Sequence, residues 1–236
     1  RGQRAIAIRR EGFERRTLFL PSRIVSDVVP GARVAVLSGP SHAEEVARGL
    51  PAAIVAASAP PDAAAGAQRV LSTPRLRVYT SNDPAGVEVA GAAKNVIALA
   101  AGISDGLGFG DNARAALITR GLHEITRLGM ALGARPATFA GLAGMGDLIA
   151  TCTSPHSRNR TVGLRVAGGE ALEEVLRSTE KIAEGVETTR SLRDLSRNLG
   201  VSLPITEEVH AVLFEKKSPR EAVEALMARE TKDEVG

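Results

Sequence analysis

The sequence predicts an α/β layer over residues 1–85 followed by an all-α domain over residues 86–236. Three observations carry this. Short apolar runs alternate with helix-period segments through the first ninety residues, the pattern of a sheet covered by helices. Asp83-Pro84 is then a strong helix start, an N-cap followed by proline at the first helical position. Beyond it helical periodicity continues without an evident β pattern, so no strand of five or more residues is expected between 90 and 230.

Taken in order, residues 5–8 form a short apolar run, and residues 33–37 form a strand ending at Ser38-Gly39-Pro40. Ser41-His42-Ala43-Glu44 has capping-box spacing and opens a helix to Arg48. A buried strand at 51–57, a helix at 62–71 and a strand at 76–80 complete the layer, which is expected to be parallel. Long helices follow at 84–101 and 112–133, with the glycine-rich stretch 102–110 read as the loop between them. Shorter helices are expected at 136–149, 158–167, 170–177, 184–199, 205–215 and 219–229.

The 236 residues are 44% hydrophobic and 24% charged, enough apolar material for a sizeable core. One cysteine, Cys152, excludes a disulfide framework and a cysteine-rich zinc site, and the four histidines show no metal-ligand spacing. No uninterrupted apolar run approaches 18 residues, so no membrane insertion is expected. Aromatics are 3% with no Trp, too few for base stacking, so no nucleic-acid partner is expected despite a net charge of +3. The arginine-rich start carries Glu11 and Glu14 and lacks serine richness, which argues against a transit peptide. A cytoplasmic protein is expected.

Lys94 is the most informative residue. Its helical neighbours Val87, Ala90, Gly91, Ile97, Ala98 and Ala101 are all small or apolar. Burial there would lower its pKa toward a range suited to proton transfer. The competing reading is a lysine that snorkels to water, for which small neighbours give little cover. Ser157-Arg158-Asn159 at a helix start could bind phosphate through backbone N–H groups and a guanidinium, although such a triplet alone is more often a plain serine cap. Asp147, after the glycine-rich stretch 141–146, could orient a base or merely cap a helix. Ser38-Gly39-Pro40-Ser41 lies where a strand turns into a helix, the end of a strand at which α/β sheets hold ligands. His42 reads as a surface histidine and Cys152 as a small buried hydrophobe.

Together these segments resemble the bacterial-type NAD(P)-dependent glycerol-3-phosphate dehydrogenases. The marks, in order, are residues 37–46 (LSGPSHAEEV), 90–99 (AGAAKNVIAL), 110–121 (GDNARAALITRG), 144–148 (GMGDL), 157–160 (SRNR) and 183–188 (AEGVET). The resemblance implies a partial Rossmann-like layer followed by a helical domain like that of 6-phosphogluconate dehydrogenase. It implies interconversion of dihydroxyacetone phosphate and sn-glycerol 3-phosphate with NAD or NADP, serving phospholipid synthesis. Lys94 would be the general acid/base. Gly39, Ser41, Asp147, Ser157, Arg158 and Asn159 would join it in holding a small phosphorylated substrate, with Arg158 on the phosphate. Ala43, Arg158, Ile182 and Glu184 would contact the cofactor.

Two departures accompany the resemblance. The family's GxGxxG loop is not among these residues, so the chain reads as part of a longer one and is expected to bind dinucleotide poorly alone. Glu11-Gly12 stands where the family has Lys-Gly, reversing a charge that contacts substrate there, with Arg10 a substitute one residue away. A homodimer is left open, as is the choice between NADH and NADPH. The alternatives are another hydroxy-acid dehydrogenase of the same superfamily and a non-catalytic helical binding module.

Overall fold

The computed structural model describes residues 5–9, 11–178, 183–231 and 233–234. The first part alternates strands and helices: β1 (Ala5–Ile8), α1 (Pro21–Val28), β2 (Arg33–Ser38), α2 (Ala43–Ala47), β3 (Ala52–Ala57), α3 (Pro61–Leu71) and β4 (Leu76–Ser81). The strands form one sheet in the order β1-β2-β3-β4. The expected parallel layer is corrected to a mixed one. β1–β2 and β3–β4 are parallel, but β2 and β3 are antiparallel, with Val36 opposite Ala57. The link at 39–51 carries only the five-residue α2 and turns the chain back at the end where β2 stops. A parallel crossover would have to return along the whole strand. Strand-helix alternation reads the same in both cases.

Ser41 does not build the expected capping box. His42 holds the N-cap position of α2 without a side-chain cap bond, and Ser41 Oγ instead donates to the Gly39 carbonyl. Asp83, by contrast, caps as expected, accepting from Gly86 N at 3.0 Å. Its other oxygen accepts from Arg135 N and Thr138 Oγ1.

From Pro84 the described residues hold helices without a strand. They are α4 (Pro84–Gly106), α5 (Gly110–Ala131), α6 (Pro136–Phe139), α7 (Asp147–Thr153), α8 (Arg158–Ala167), α9 (Leu172–Arg177), α10 (Glu184–Leu199), α11 (Pro204–Phe214) and α12 (Pro219–Met227). The helix expected at 136–149 is divided: α6, a π-helical turn at Leu142–Gly146, and the start of α7. The loop expected at 102–110 is mostly the last turns of α4.

α4 is the central pillar, buried from Gly86 to Ser104. It is long and apolar enough by composition to cross a membrane, yet the qualifying window lies wholly inside the fold. Its Ala/Gly composition lets helices approach on several sides. A Cβ on Gly102 would stand 1.9 Å from the Arg160 carbonyl oxygen, and one on Gly163 would stand 2.1 Å from that of Leu99. These glycines bring α8 against α4, setting the start of α8 beside Lys94 and Asn95.

Candidate functional site

A polar cavity of about 320 Å³ opens where the carboxyl ends of β1 and β2 meet α4, α7, α8 and α10. Gly39 lies in its wall with φ +132°, and a Cβ there would stand 3.0 Å from Ile54 Cα, so both backbone and space require glycine. The Gly39 N–H donates to Asp147 Oδ2 at 3.3 Å, bringing the end of β2 to the start of α7.

Lys94 projects from the middle of α4 between two carboxylates. Its Nζ donates to Asp147 Oδ2 at 2.5 Å and to Glu11 Oε1 at 2.7 Å. The lysine is buried, as its apolar stripe implies. The expected consequence is corrected, however. Burial does push its pKa down, but the charges of Asp147 and Glu11 and their hydrogen bonds outweigh it, holding the ammonium above the ordinary lysine range. Lys94 therefore rests as a charged ammonium.

The Ser157-Arg158-Asn159 triplet opens α8 as expected. Ser157 caps it, accepting from Arg160 N at 3.3 Å. Asn159 ties three helices together: its Nδ2 donates to Asn95 Oδ1 at 2.9 Å and its Oδ1 accepts from Gly185 N at 3.0 Å. Arg158 is exposed on the cavity rim, beside the capped helix start. Ala43 and Glu184, the first residues of α2 and α10, also line the cavity. Gly39, Ser41, Ala43, Lys94, Asp147, Ser157, Arg158, Asn159 and Glu184 thus share one cavity. Ile182 and Arg10 lie outside the described residues.

Several lining residues were not anticipated from sequence. Arg9 Nη2 donates to Ser41 Oγ at 3.0 Å and to the Ser41 carbonyl at 2.8 Å. Its place just after the first strand was the available signal. His42 is half-buried, and its Nε2 is buried without a hydrogen-bond partner in the wall between Ser41 and Ala43. Such an orphaned group is what a polar ligand entering beside Ala43 would satisfy. Cys152 is buried, and burial pushes its thiol up to about 12, which fits the inert role read from sequence. A larger cavity of 690 Å³ between α4, α5, α11 and α12 contains none of the expected contact residues.

Residues 83–224 match the family described as NAD-dependent glycerol-3-phosphate dehydrogenase C-terminus, and residues 1–64 match the corresponding N-terminus. Glycerol-3-phosphate dehydrogenase [NAD(P)+] 1 of Salinibacter ruber is 55% identical over 99% of this chain, which covers 69% of that relative. A glycerol-3-phosphate dehydrogenase [NAD(P)+] of Geobacter metallireducens is 56% identical over 96% of this chain and 68% of its own. Among solved structures, glycerol-3-phosphate dehydrogenase from Coxiella burnetii superposes with a TM-score of 0.92 at 40% identity, covering 94% of this chain and 68% of that one.

Proposed function

The chain belongs to the NAD-dependent glycerol-3-phosphate dehydrogenase family, and from this we propose how its cavity interconverts dihydroxyacetone phosphate and glycerol 3-phosphate. The nicotinamide of NAD or NADP, when bound, supplies or accepts the hydride at C2. Lys94 gives its ammonium proton to the C2 oxygen in reduction and takes it back in oxidation. The observation that carries this role is the Lys94–Asp147 pair at 2.5 Å inside the cavity. It keeps the donor charged and aims it where alkoxide charge develops.

The other residues bind and orient. Arg158 takes the phosphate beside the start of α8, where a planar guanidinium and helix-end N–H groups suit a tetrahedral anion. Ser157 and Asn159 hold that helix start in register with Lys94. Gly39 and Ser41 offer close backbone approach to the substrate. Ala43 and Glu184 mark the cofactor side, supported by the unpartnered His42 Nε2 next to Ala43. Glycerol 3-phosphate made this way would serve phospholipid synthesis in the cytoplasm.

The test uses a longer chain that carries the family's GxGxxG loop and pairs dinucleotide titration with initial rates of dihydroxyacetone phosphate reduction. Lys94→Ala is expected to abolish turnover and leave dinucleotide affinity nearly intact. Lys94→Arg is expected to fail as well, because guanidinium does not release its proton near neutral pH. Robust turnover by Lys94→Ala would refute the assignment.

A further inference from the structure

Donating a proton to the C2 oxygen leaves Lys94 as a neutral amine, so each reductive turnover needs that proton replaced from water. The Lys94 side chain is only 7% exposed. Its two carboxylate partners differ in their surroundings. Asp147 is 5% exposed and faces inward, accepting from Gly39 N and Ser38 Oγ. Glu11 is 21% exposed and comes from the segment after β1, at the cavity wall. Its Oε1 lies 2.7 Å from Lys94 Nζ, while Asn95 Nδ2 donates to its Oε2 at 3.0 Å, fixing the carboxylate's orientation.

We propose that Glu11 is the relay through which Lys94 exchanges its proton with water. The proposal rests on the reading of Lys94 as proton donor. In reduction, a proton from water binds the Glu11 carboxylate and passes from Oε1 to the neutral Lys94 amine. The ammonium and the carboxylate are then both restored, and no electrons move. In oxidation the proton leaves along the same path. Glu11 acts through Lys94, so it is a positioning residue for proton supply. Asp147, Arg9, Arg158, Glu44, Glu184, His42 and His156 line the same cavity and share its field.

Glu11→Gln is the test, because glutamine keeps an oxygen toward Lys94 and an isosteric shape. For reduction by a longer chain that carries the GxGxxG loop, kcat is expected to fall about tenfold with KM for dihydroxyacetone phosphate changed less than about twofold, since proton supply and not binding is lost. The solvent deuterium isotope effect on kcat is expected to rise, and small carboxylic acids added to the buffer are expected to restore rate. A second readout needs neither substrate nor cofactor. The chain has five lysines, so nitrogen-15 lysine labelling can resolve Lys94 and follow exchange of its ammonium protons with water. Removing the Glu11 charge lowers the Lys94 pKa, which by itself speeds that exchange; loss of a relay slows it. Slower exchange in Glu11→Gln supports the relay. Equal or faster exchange, or a fall in kcat without acid rescue or a larger isotope effect, overturns it. Turnover by Lys94→Ala would instead sink the underlying reading, whatever Glu11→Gln does.

Discussion

Lys94 is buried yet charged because carboxylates reach it from two parts of the chain, Glu11 beyond β1 and Asp147 at the start of α7. The apolar stripe on α4 announces the burial, but the sign of the pKa shift depends on partners 83 and 53 residues away, which no local pattern contains. Arg158 shows the opposite balance. Its triplet is an ordinary cap by local standards, and only its place on the Lys94 cavity supports the proposed phosphate contact. In a longer chain that carries the family's GxGxxG loop, Arg158→Ala is expected to raise KM for dihydroxyacetone phosphate strongly. Where the contact tightens in the transition state, kcat falls too. Steady-state rates against both dihydroxyacetone phosphate and unphosphorylated dihydroxyacetone check it. An unchanged kcat/KM for the phosphorylated compound removes Arg158 from the site.

Between elements, Glu124 on α5 meets the start of α11, accepting from Ile205 N at 2.5 Å and Thr206 N at 3.3 Å. Those N–H groups have no intrahelical acceptor, so the carboxylate completes the helix end. Burial dominates all the same and pushes the carboxyl up from 4.5 to about 7. The folded state thus holds this proton more tightly than the unfolded chain does. Its contribution to stability is greatest below about pH 4.5 and declines as pH rises to about 7. The decline amounts to about 3 kcal/mol at most, by the free energy of each pKa unit. Glu124→Gln keeps an acceptor toward Ile205 and cannot ionise. Its urea midpoint is expected to exceed the wild type's at pH 8 and to approach it at pH 5. A midpoint difference that does not vary with pH rules out titration of Glu124. Sequence reading placed the helices of this region well, from α8 through α12, because capping and periodicity are local. The π-helical turn at 142–146 was not legible, because it depends on close approach: a Cβ on Gly144 would stand 2.1 Å from the Phe139 carbonyl oxygen.

The division after residue 85, drawn where strand patterning stops, falls within the first turn of α4. The sheet side and the helical side are joined by buried and part-buried polar contacts across it. Glu88 on α4 accepts from Ser22 N at 2.8 Å and from Ser22 Oγ, and Asp83 accepts from Arg135 N at 2.9 Å. Lys94 and Asp147 add Glu11 and Gly39 to that seam. Unfolding either side alone would leave these groups uncompensated in an apolar setting, which is costly for charged partners. The two sides are therefore expected to unfold together. The sequence supplies a probe for each. Tyr79 on β4 is the only tyrosine and there is no Trp, so tyrosine fluorescence reports the sheet, with the Arg77 guanidinium 5.2 Å above its ring. Far-ultraviolet circular dichroism is dominated by α4, α5 and α10, the long helices of the other side. In urea the two signals should give one coincident transition. Tyrosine fluorescence that changes at clearly lower urea than the helical signal would show that the sheet side unfolds by itself, and the seam would then be a docking contact between separable units.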